Sequence, residues 1–226
     1  MDAEVIMINM LLADPSEVMR IGLRSVLAAR QVHANIDEVT NVVDMMGLVA
    51  SRKYEVLVLE PLLQNGGEET LIRALRNLAP ALKILAFTSM SEGFFGRRML
   101  KCGVRGYVMK TCPEDNVVAA IRSVADGRMY MSDALRESLA SRLLDDQAGS
   151  LHDTLNEREV EIFSMMICGK THQEISTALG LRSRMTSTYK ARVLKKLHVH
   201  SLVDAVKYAI AQNLVEDCHV KCMSPL

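Results

Sequence analysis

The chain has 226 residues and no net charge, with 27 Lys and Arg against 27 Asp and Glu. Hydrophobic residues make up 49% and aromatic residues 4%, which favours a helix-rich α/β protein with an aliphatic core. The length suits one large domain or two small ones. No apolar run reaches the length of a membrane span, which argues against an integral helical membrane protein.

Cysteine usage and the first residues predict a cytoplasmic protein without a membrane partner. The five Cys are odd in number and scattered, which favours a reducing compartment over a disulfide framework. The amino end lacks the basic start of a signal peptide. Cys218, His219 and Cys222 are close enough to suggest a metal site, but two incidental thiols in a loose tail is the preferred interpretation. We therefore predict no metal and no cofactor.

The first half of the chain alternates strands with helices. Apolar runs of strand length are predicted at residues 5–13, 54–60, 83–88 and 106–110, with a weaker candidate at 39–43. Helical patterns are predicted at residues 18–27, 42–50, 69–78, 94–101 and 113–125. This alternation predicts an α/β doubly wound, five-stranded parallel sheet. The functional crevice of such a sheet lies at the carboxyl ends of its strands, and those ends hold Asp14, Glu60, Thr88 and Lys110.

A linker is predicted next, with a helix at 132–144 and a hinge at 145–150. Two helices then begin with capping-box spacing, Asn156 with Glu159 and Thr171 with Glu174. A turn at Gly180 leads into a third helix, and Ser201 opens a fourth. Residues 182–198 contain no acid and six basic residues: Arg182, Arg184, Lys190, Arg192, Lys195 and Lys196. A helix, a tight turn and a basic helix predict a DNA-binding helix-turn-helix at about 172–191.

The predicted domain limits follow from these elements. A receiver-like domain is expected at residues 5–128, a linker helix and hinge at 129–152, and an all-α four-helix domain at 153–216. Residues 153–226 carry 10 Lys and Arg against 8 Asp and Glu. Affinity for DNA must therefore come from the local basic cluster.

Four segments of the second half resemble, without gaps, the DNA-binding domain of NarL/LuxR-type response regulators: residues 155–162, 169–175, 179–181 and 194–199. The first half resembles the receiver domain of the same family through residues 12–14, 20–24, 88–89 and 103–110. The resemblance covers nearly the whole chain. It implies that Asp14 belongs to the acidic pocket, that Glu60 occupies the phosphoacceptor position, and that Thr88, Tyr107 and Lys110 are the switch residues.

Two departures from the receiver pattern predict that aspartyl phosphorylation is lost. Pro15 stands where the family has a second acid that binds magnesium, and Glu60 stands where it has the acceptor Asp. Mg²⁺ requires near-octahedral oxygen coordination, so losing one ligand and lengthening another weakens the site. Glu60 either mimics a phosphorylated Asp by reaching Thr88 and Lys110, or it only neutralises buried charge in a degenerate pocket.

For the third helix, the resemblance implies a DNA-reading face. Thr186, Tyr189, Val193, Leu194 and Leu197 should pack inward, whereas Ser187, Thr188 and Ala191 are placed for base edges. The other expected DNA contacts, mainly to phosphates, are Lys170, Thr171, Arg182, Arg184, Lys190, Arg192, Lys195 and Lys196. A solvated helix face is the alternative interpretation of the basic cluster. The family commonly has further basic residues at positions 187 and 191, so low intrinsic affinity is expected.

The resemblance also implies partners. Val203, Val206, Tyr208 and Ile210 of the fourth helix could form an apolar dimer patch, with Val203, Val206 and Ile210 as the predicted dimer contacts. The expected function is a sequence-specific transcriptional regulator that binds double-stranded promoter DNA as a homodimer or as a heterodimer with a related regulator, with RNA polymerase as a further candidate partner. The alternative is an auxiliary interaction protein that binds DNA weakly or not at all alone. No nucleophile–base set accompanies Asp14 and Glu60, so an enzyme is not expected.

Overall fold

The computed structural model describes residues 7–63, 67–144, 150–212 and 214. These residues divide into two compact units at Ser138–Leu139, inside a helix. We call the part before this point the sheet unit and the part after it the helical unit. The predicted hinge, apart from Ser150, and the segment with Cys218, His219 and Cys222 lie outside the described residues. Within the described residues, no helix is both long and apolar enough to cross a membrane.

The sheet unit contains a five-stranded parallel sheet in the order β2-β1-β3-β4-β5, as predicted. Its strands are β1 (Ile8–Ala13), β2 (Ala34–Val39), β3 (Val56–Leu59), β4 (Lys83–Thr88) and β5 (Gly106–Met109). Its helices are α1 (Glu17–Ala29), α2 (Val42–Ser51), α3 (Glu68–Leu78), α4 (Arg97–Cys102), α5 (Glu114–Ala125) and the start of α6 (Asp133–Leu144).

Burial on both faces explains why the central strands are apolar throughout. All four residues of β3 are buried, and α1, α5 and the sheet share one core that includes Leu23, Leu27 and Ile121. The Ser16 side chain caps α1 by accepting from the Met19 amide. The sheet is therefore covered by helices, and the last residues of its parallel strands lie along the same edge, at the carboxyl ends of the strands.

One local prediction in the sheet unit was wrong, and another was right only in part. The second strand is Ala34–Val39, which pairs with β1 from Ile8 to Ala13, and it does not lie at 39–43. This edge strand carries polar residues and is mostly half-buried, so it lacks an apolar run. The helix predicted at 94–101 is a π-helical turn at Glu92–Gly96 followed by α4.

The helical unit contains the rest of α6, a short 3₁₀ turn (Leu151–Thr154), and the helices α7 (Glu157–Ile167), α8 (His172–Ala178), α9 (Ser183–Lys196) and α10 (Leu202–Ala211). Both predicted capping boxes are present, at Asn156 for α7 and at Thr171 for α8. Gly180 has a positive φ of 61° where α8 turns toward α9. A small core formed by Ile162, Met166 and Ile175 holds α7, α8 and α9 together.

Candidate functional site

The four strand-end residues of the sheet unit meet in one pocket. The Lys110 Nζ atom lies 2.5 Å from Asp14 Oδ2 and 2.8 Å from Glu60 Oε2. The Thr88 hydroxyl donates to Glu60 Oε1 at 2.6 Å. Thr88 is therefore the last residue of β4, and the residues that directly follow β1, β3 and β5 are Asp14, Glu60 and Lys110.

This pocket is buried and holds more negative than positive side chains. Asp14, Glu60 and Thr88 are 1%, 5% and 0% exposed. Two backbone amides add to the stabilisation of the carboxylates, because the Ser16 amide donates to Asp14 at 2.8 Å and the Leu62 amide donates to Glu60 at 3.2 Å. Burial alone would lower the pKa of Lys110, but hydrogen bonds and charge from Asp14 and Glu60 outweigh it and raise that pKa.

The raised pKa of Lys110 predicts that the sheet unit loses stability at alkaline pH. A lysine whose folded-state pKa exceeds its unfolded-state pKa contributes stability that is complete below the unfolded-state value. That contribution is lost as pH rises through the folded-state value, so we expect a decline above about pH 10. Urea unfolding followed by circular dichroism between neutral pH and pH 12 measures it. A Lys110→Met variant should show a smaller alkaline decline.

Tyr107 lies close to the pocket in an inward position. Its side chain is 1% exposed and its hydroxyl donates to the Met90 carbonyl at 2.8 Å. The Met90 amide in turn donates to the Thr88 hydroxyl oxygen at 3.2 Å. Glu60, Thr88, Met90 and Tyr107 thus form a continuous line of hydrogen bonds leading out of the pocket.

The pocket does not fit the magnesium ion that a receiver resemblance implies. Asp14 and Glu60 both bond to the Lys110 ammonium, which occupies the position between them. The next residue in the chain, Pro15, has no side-chain oxygen. Magnesium needs several oxygen ligands at short, near-octahedral distances, and this donor set does not supply them.

α9 buries one face and exposes the other. Thr186, Val193 and Leu197 are 0%, 0% and 1% exposed, and Tyr189 and Leu194 are half-buried against the small core. The opposite face is exposed and contains Arg184, Ser187, Thr188, Ala191 and Lys195. This division agrees with the helical spacing in the sequence.

Other predicted DNA contacts also lie in or next to the helix-turn-helix. Arg182 is exposed at the N-cap position of α9, and the Arg192 guanidinium lies 5.8 Å from the ring centre of Tyr189. Thr171 caps α8, and hydrogen bonds from its amide and hydroxyl lower the pKa of Glu174. Lys170 is 3.4 Å from Glu174. Lys190 is half-buried.

Lys196, which is predicted to contact phosphates, makes two bonds within the helical unit. Its Nζ atom bonds to Glu159 Oε2 at 2.5 Å and to the Thr154 carbonyl at 3.1 Å. The Glu159 side chain is only 2% exposed and also accepts from the Asn156 amide. Lys196 therefore joins the end of α9 to the start of α7. Sequence spacing could not reveal this, because Glu159 lies 37 residues away.

α10 exposes an apolar face, with one correction to the predicted patch. Val203 and Ile210 are 62% and 54% exposed, and Val206 is half-buried. Leu202, which lies outside the predicted patch, is 43% exposed. Tyr208 does not join this face, because its hydroxyl lies 3.0 Å from Nδ1 of the buried His152.

Two protein-family models match the chain. The response regulator receiver domain matches residues 10–122, and the bacterial regulatory proteins of the luxR family match residues 153–209. Neither is a family of enzymes.

Similar proteins extend over nearly the full length. The response regulator UvrY of Escherichia coli K12 is 28% identical over 96% of this chain and 99% of its own length. The response regulator GacA of Pseudomonas aeruginosa is 28% identical over 93% of this chain and 99% of its own length.

A solved structure of RcsB from Salmonella enterica serovar Typhimurium, bound to the rprA promoter, shares the fold, with a TM-score of 0.62 and 20% identity over 90% of this chain and 99% of that chain. The receiver-domain model matches the sheet unit and covers half of the residues of this chain. The luxR-family model follows it and matches the helical unit. The chain therefore belongs to the LuxR-type response regulators, DNA-binding regulators of transcription that join a receiver domain to a helix-turn-helix domain.

Proposed function

We propose that this response regulator binds specific promoter sequences as a dimer, independently of aspartyl phosphorylation. The observation that carries the proposal is the Glu60 carboxylate, which bonds to Thr88 and Lys110 at 2.6 and 2.8 Å. In this proposal the glutamate carboxylate always provides the negative oxygens that a receiver otherwise gains only when it is phosphorylated. The hydrogen-bond line from Thr88 through Met90 then holds Tyr107 inward.

The competing interpretation gives Glu60 a structural role alone. Because Lys110 bonds to two buried carboxylates, its pair with Glu60 would be needed for folding even in a pocket without a regulatory role. The two interpretations agree on phosphorylation and differ on the DNA affinity of a variant that keeps the size of the side chain but removes its charge.

We expect Glu60→Gln to weaken DNA binding by about tenfold, since coupling between distant sites typically changes affinity by this order. The amide keeps an oxygen for Thr88 but removes the charge that attracts Lys110. Fluorescence anisotropy with a labelled promoter duplex measures the affinity, and sedimentation measures dimerisation.

Glu55→Gln is the matched control for that experiment. Glu55 lies just before the other end of β3, where its side chain accepts from the Asn9 amide, and the variant keeps that acceptor. Its DNA affinity should equal that of the wild type. If Glu60→Gln also binds DNA and dimerises like the wild type, phosphate mimicry is wrong and the structural role of Glu60 remains.

The exposed face of α9 is the proposed DNA-reading surface. Ser187 and the Ala191 methyl can meet base edges in the major groove. The Thr188 hydroxyl donates to the Arg184 carbonyl at 3.0 Å, so Thr188 offers a base its methyl group and a hydroxyl oxygen that accepts. Arg184 and Lys195 supply positive charge along the same face, which positions the helix on phosphates.

Dimerisation is proposed to use the apolar face of α10. Val203, Val206 and Ile210 are spaced three and four residues apart, so they share one side of the helix. Ala205 and Ala209, at 0% exposure, define the inward side. A two-fold dimer would place two α9 helices on two half-sites and offset a modest affinity per subunit.

Replacing Val203 and Ile210 by Glu is expected to weaken dimerisation at least tenfold, because two exposed apolar side chains would no longer be buried between subunits. Met185→Glu, which replaces an exposed apolar side chain of α9 and not of α10, should leave the dimer intact. Analytical ultracentrifugation across a concentration series compares them. A dimer of unchanged strength in the Glu variant would place the interface elsewhere.

The alternative function is an auxiliary subunit that pairs with another response regulator and contributes little DNA affinity itself. The absence of basic residues at positions 187 and 191 favours it. Gel shifts with promoter DNA, run alone and with added related regulators, distinguish the two. A shift that requires the second regulator supports the auxiliary role.

A further inference from the structure

Side-chain hydrogen bonds join α8 to α9. The Thr186 and Ser176 hydroxyl oxygens lie 2.9 Å apart. The Ser176 hydroxyl also lies 2.9 Å from the His172 carbonyl, and His172 Nε2 lies 2.8 Å from the Ser183 hydroxyl at the start of α9. His172, Ser176, Ser183 and Thr186 therefore form one connected set, which we call the α8–α9 network.

The Ser176 hydroxyl is within donating distance of both the Thr186 hydroxyl oxygen and the His172 carbonyl. A hydroxyl carries one proton, so both contacts are hydrogen bonds when Ser176 donates to the carbonyl and accepts from Thr186. Thr186 is 0% exposed and lies on the same side of α9 as Val193, so water cannot replace this acceptor. A buried hydroxyl without a partner costs about 1–3 kcal/mol.

A directional bond restrains α9 in a way that apolar packing does not. Contacts among Ile175, Tyr189 and Leu194 are favourable over a range of helix rotations, because the hydrophobic effect is non-directional. The bond between Thr186 and Ser176 can form only over a narrow range of helix rotations, since hydrogen bonds weaken steeply as their angle departs from linear.

We infer that Thr186 and Ser176 are positioning residues that fix the rotation of α9 about its axis and so determine which side chains reach the bases. This inference rests on the proposed reading of DNA by α9. Thr186 is followed directly by Ser187, and successive helical residues differ by about 100°. A modest rotation of α9 would therefore turn Ser187, Thr188 and Ala191 away from one set of base edges and toward another.

Thr186→Val tests this role with little loss of stability. Valine matches the shape of threonine, and Ser176 keeps its bond to the His172 carbonyl, so no polar group is left without a partner. Thr177→Val is the matched control, because Thr177 is an exposed threonine on α8 outside the network.

The first measurement uses the full chain without DNA. Hydrogen exchange of the amides in α8 and α9 should rise about fivefold in Thr186→Val, as expected for the loss of one net hydrogen bond, and stay unchanged in Thr177→Val. Unchanged exchange in Thr186→Val overturns the inference, whatever the DNA results.

The second measurement selects duplexes from a random library and compares the affinity for the enriched sequence with that for a scrambled one. We expect this ratio to fall about tenfold in Thr186→Val, with an unchanged dependence on salt because the phosphate contacts remain. If this affinity ratio is the same in Thr186→Val and in the wild type, the positioning role is wrong, but the proposed reading of DNA by α9 stands. A wild-type chain that enriches no sequence overturns the proposed sequence reading and, with it, the role of the network in specificity.

Discussion

Replacing Lys110 by Met is expected to destabilise the sheet unit by about 3–5 kcal/mol, the usual cost of removing one partner from a buried ion pair. The Lys110 side chain is 13% exposed and stands between Asp14 and Glu60, which are 2% and 5% exposed. Methionine fills a similar volume but leaves two negative charges together in a buried pocket. Hydrogen exchange of the β1, β3 and β4 amides measures the free energy of unfolding of this unit within the full chain.

Two further variants show whether charge is the cause. Lys101→Met removes an exposed lysine from α4, and its effect should stay within about 0.5 kcal/mol. Asp14→Asn and Glu60→Gln, added to Lys110→Met, remove both uncompensated charges and should recover most of the lost stability. A triple variant as unstable as Lys110→Met would mean that packing of the lysine stem, and not its charge, holds the pocket together.

The pocket could be predicted from the sequence because its geometry follows from sheet topology. β1, β3 and β4 are apolar runs buried on both faces, so each has a recognisable end. Parallel strands place these ends along one edge, which brings Asp14, Glu60 and Thr88 together without knowledge of side-chain packing. The departures at Pro15 and Glu60 from the receiver pattern rest on the sequence resemblance and stay predictions.

Other elements were mispredicted because their determinants are not periodic. β2 is an edge strand with Asn35, Asp37 and Glu38 among its six residues, so neither an apolar run nor a clean alternation marks it. The π-helical turn at Glu92–Gly96 involves few residues and differs from an α-helix by one residue in its hydrogen bonding. Helical propensity cannot separate the two.

Side-chain partners distant in sequence were the hardest to predict. The spacing of α9 correctly separated its buried and exposed faces, yet it gave no indication that Lys196 pairs with Glu159 or that Thr186 pairs with Ser176. The apolar patch predicted on α10 includes Tyr208, but its hydroxyl bonds to His152. In each case a polar atom has a partner on another element, which only the folded chain identifies.

Replacing Lys195 or Lys196, two adjacent lysines at the end of α9, by Met is expected to have different effects on stability and on DNA binding. Lys196→Met should destabilise the helical unit by about 2 kcal/mol, because the buried Glu159 carboxylate loses its cation. Lys195→Met should change stability little, since Lys195 is exposed. DNA binding should show the opposite pattern. Only Lys195→Met should lower the slope of the logarithm of the binding constant against the logarithm of salt concentration, by about one. NMR-detected exchange of the α7 amides and anisotropy titrations over a range of salt measure the two effects.

The charge on Glu159 provides the decisive control. In Glu159→Gln/Lys196→Met no buried charge remains, and the Gln oxygen can still accept from the Asn156 amide, so much of the lost stability should return. A salt slope that falls by about one in Lys196→Met, with stability unchanged, would instead restore Lys196 to the DNA-contacting surface. In that outcome its bond to Glu159 would have to break on binding, because one ammonium held in a buried pair cannot also release a counterion from a phosphate.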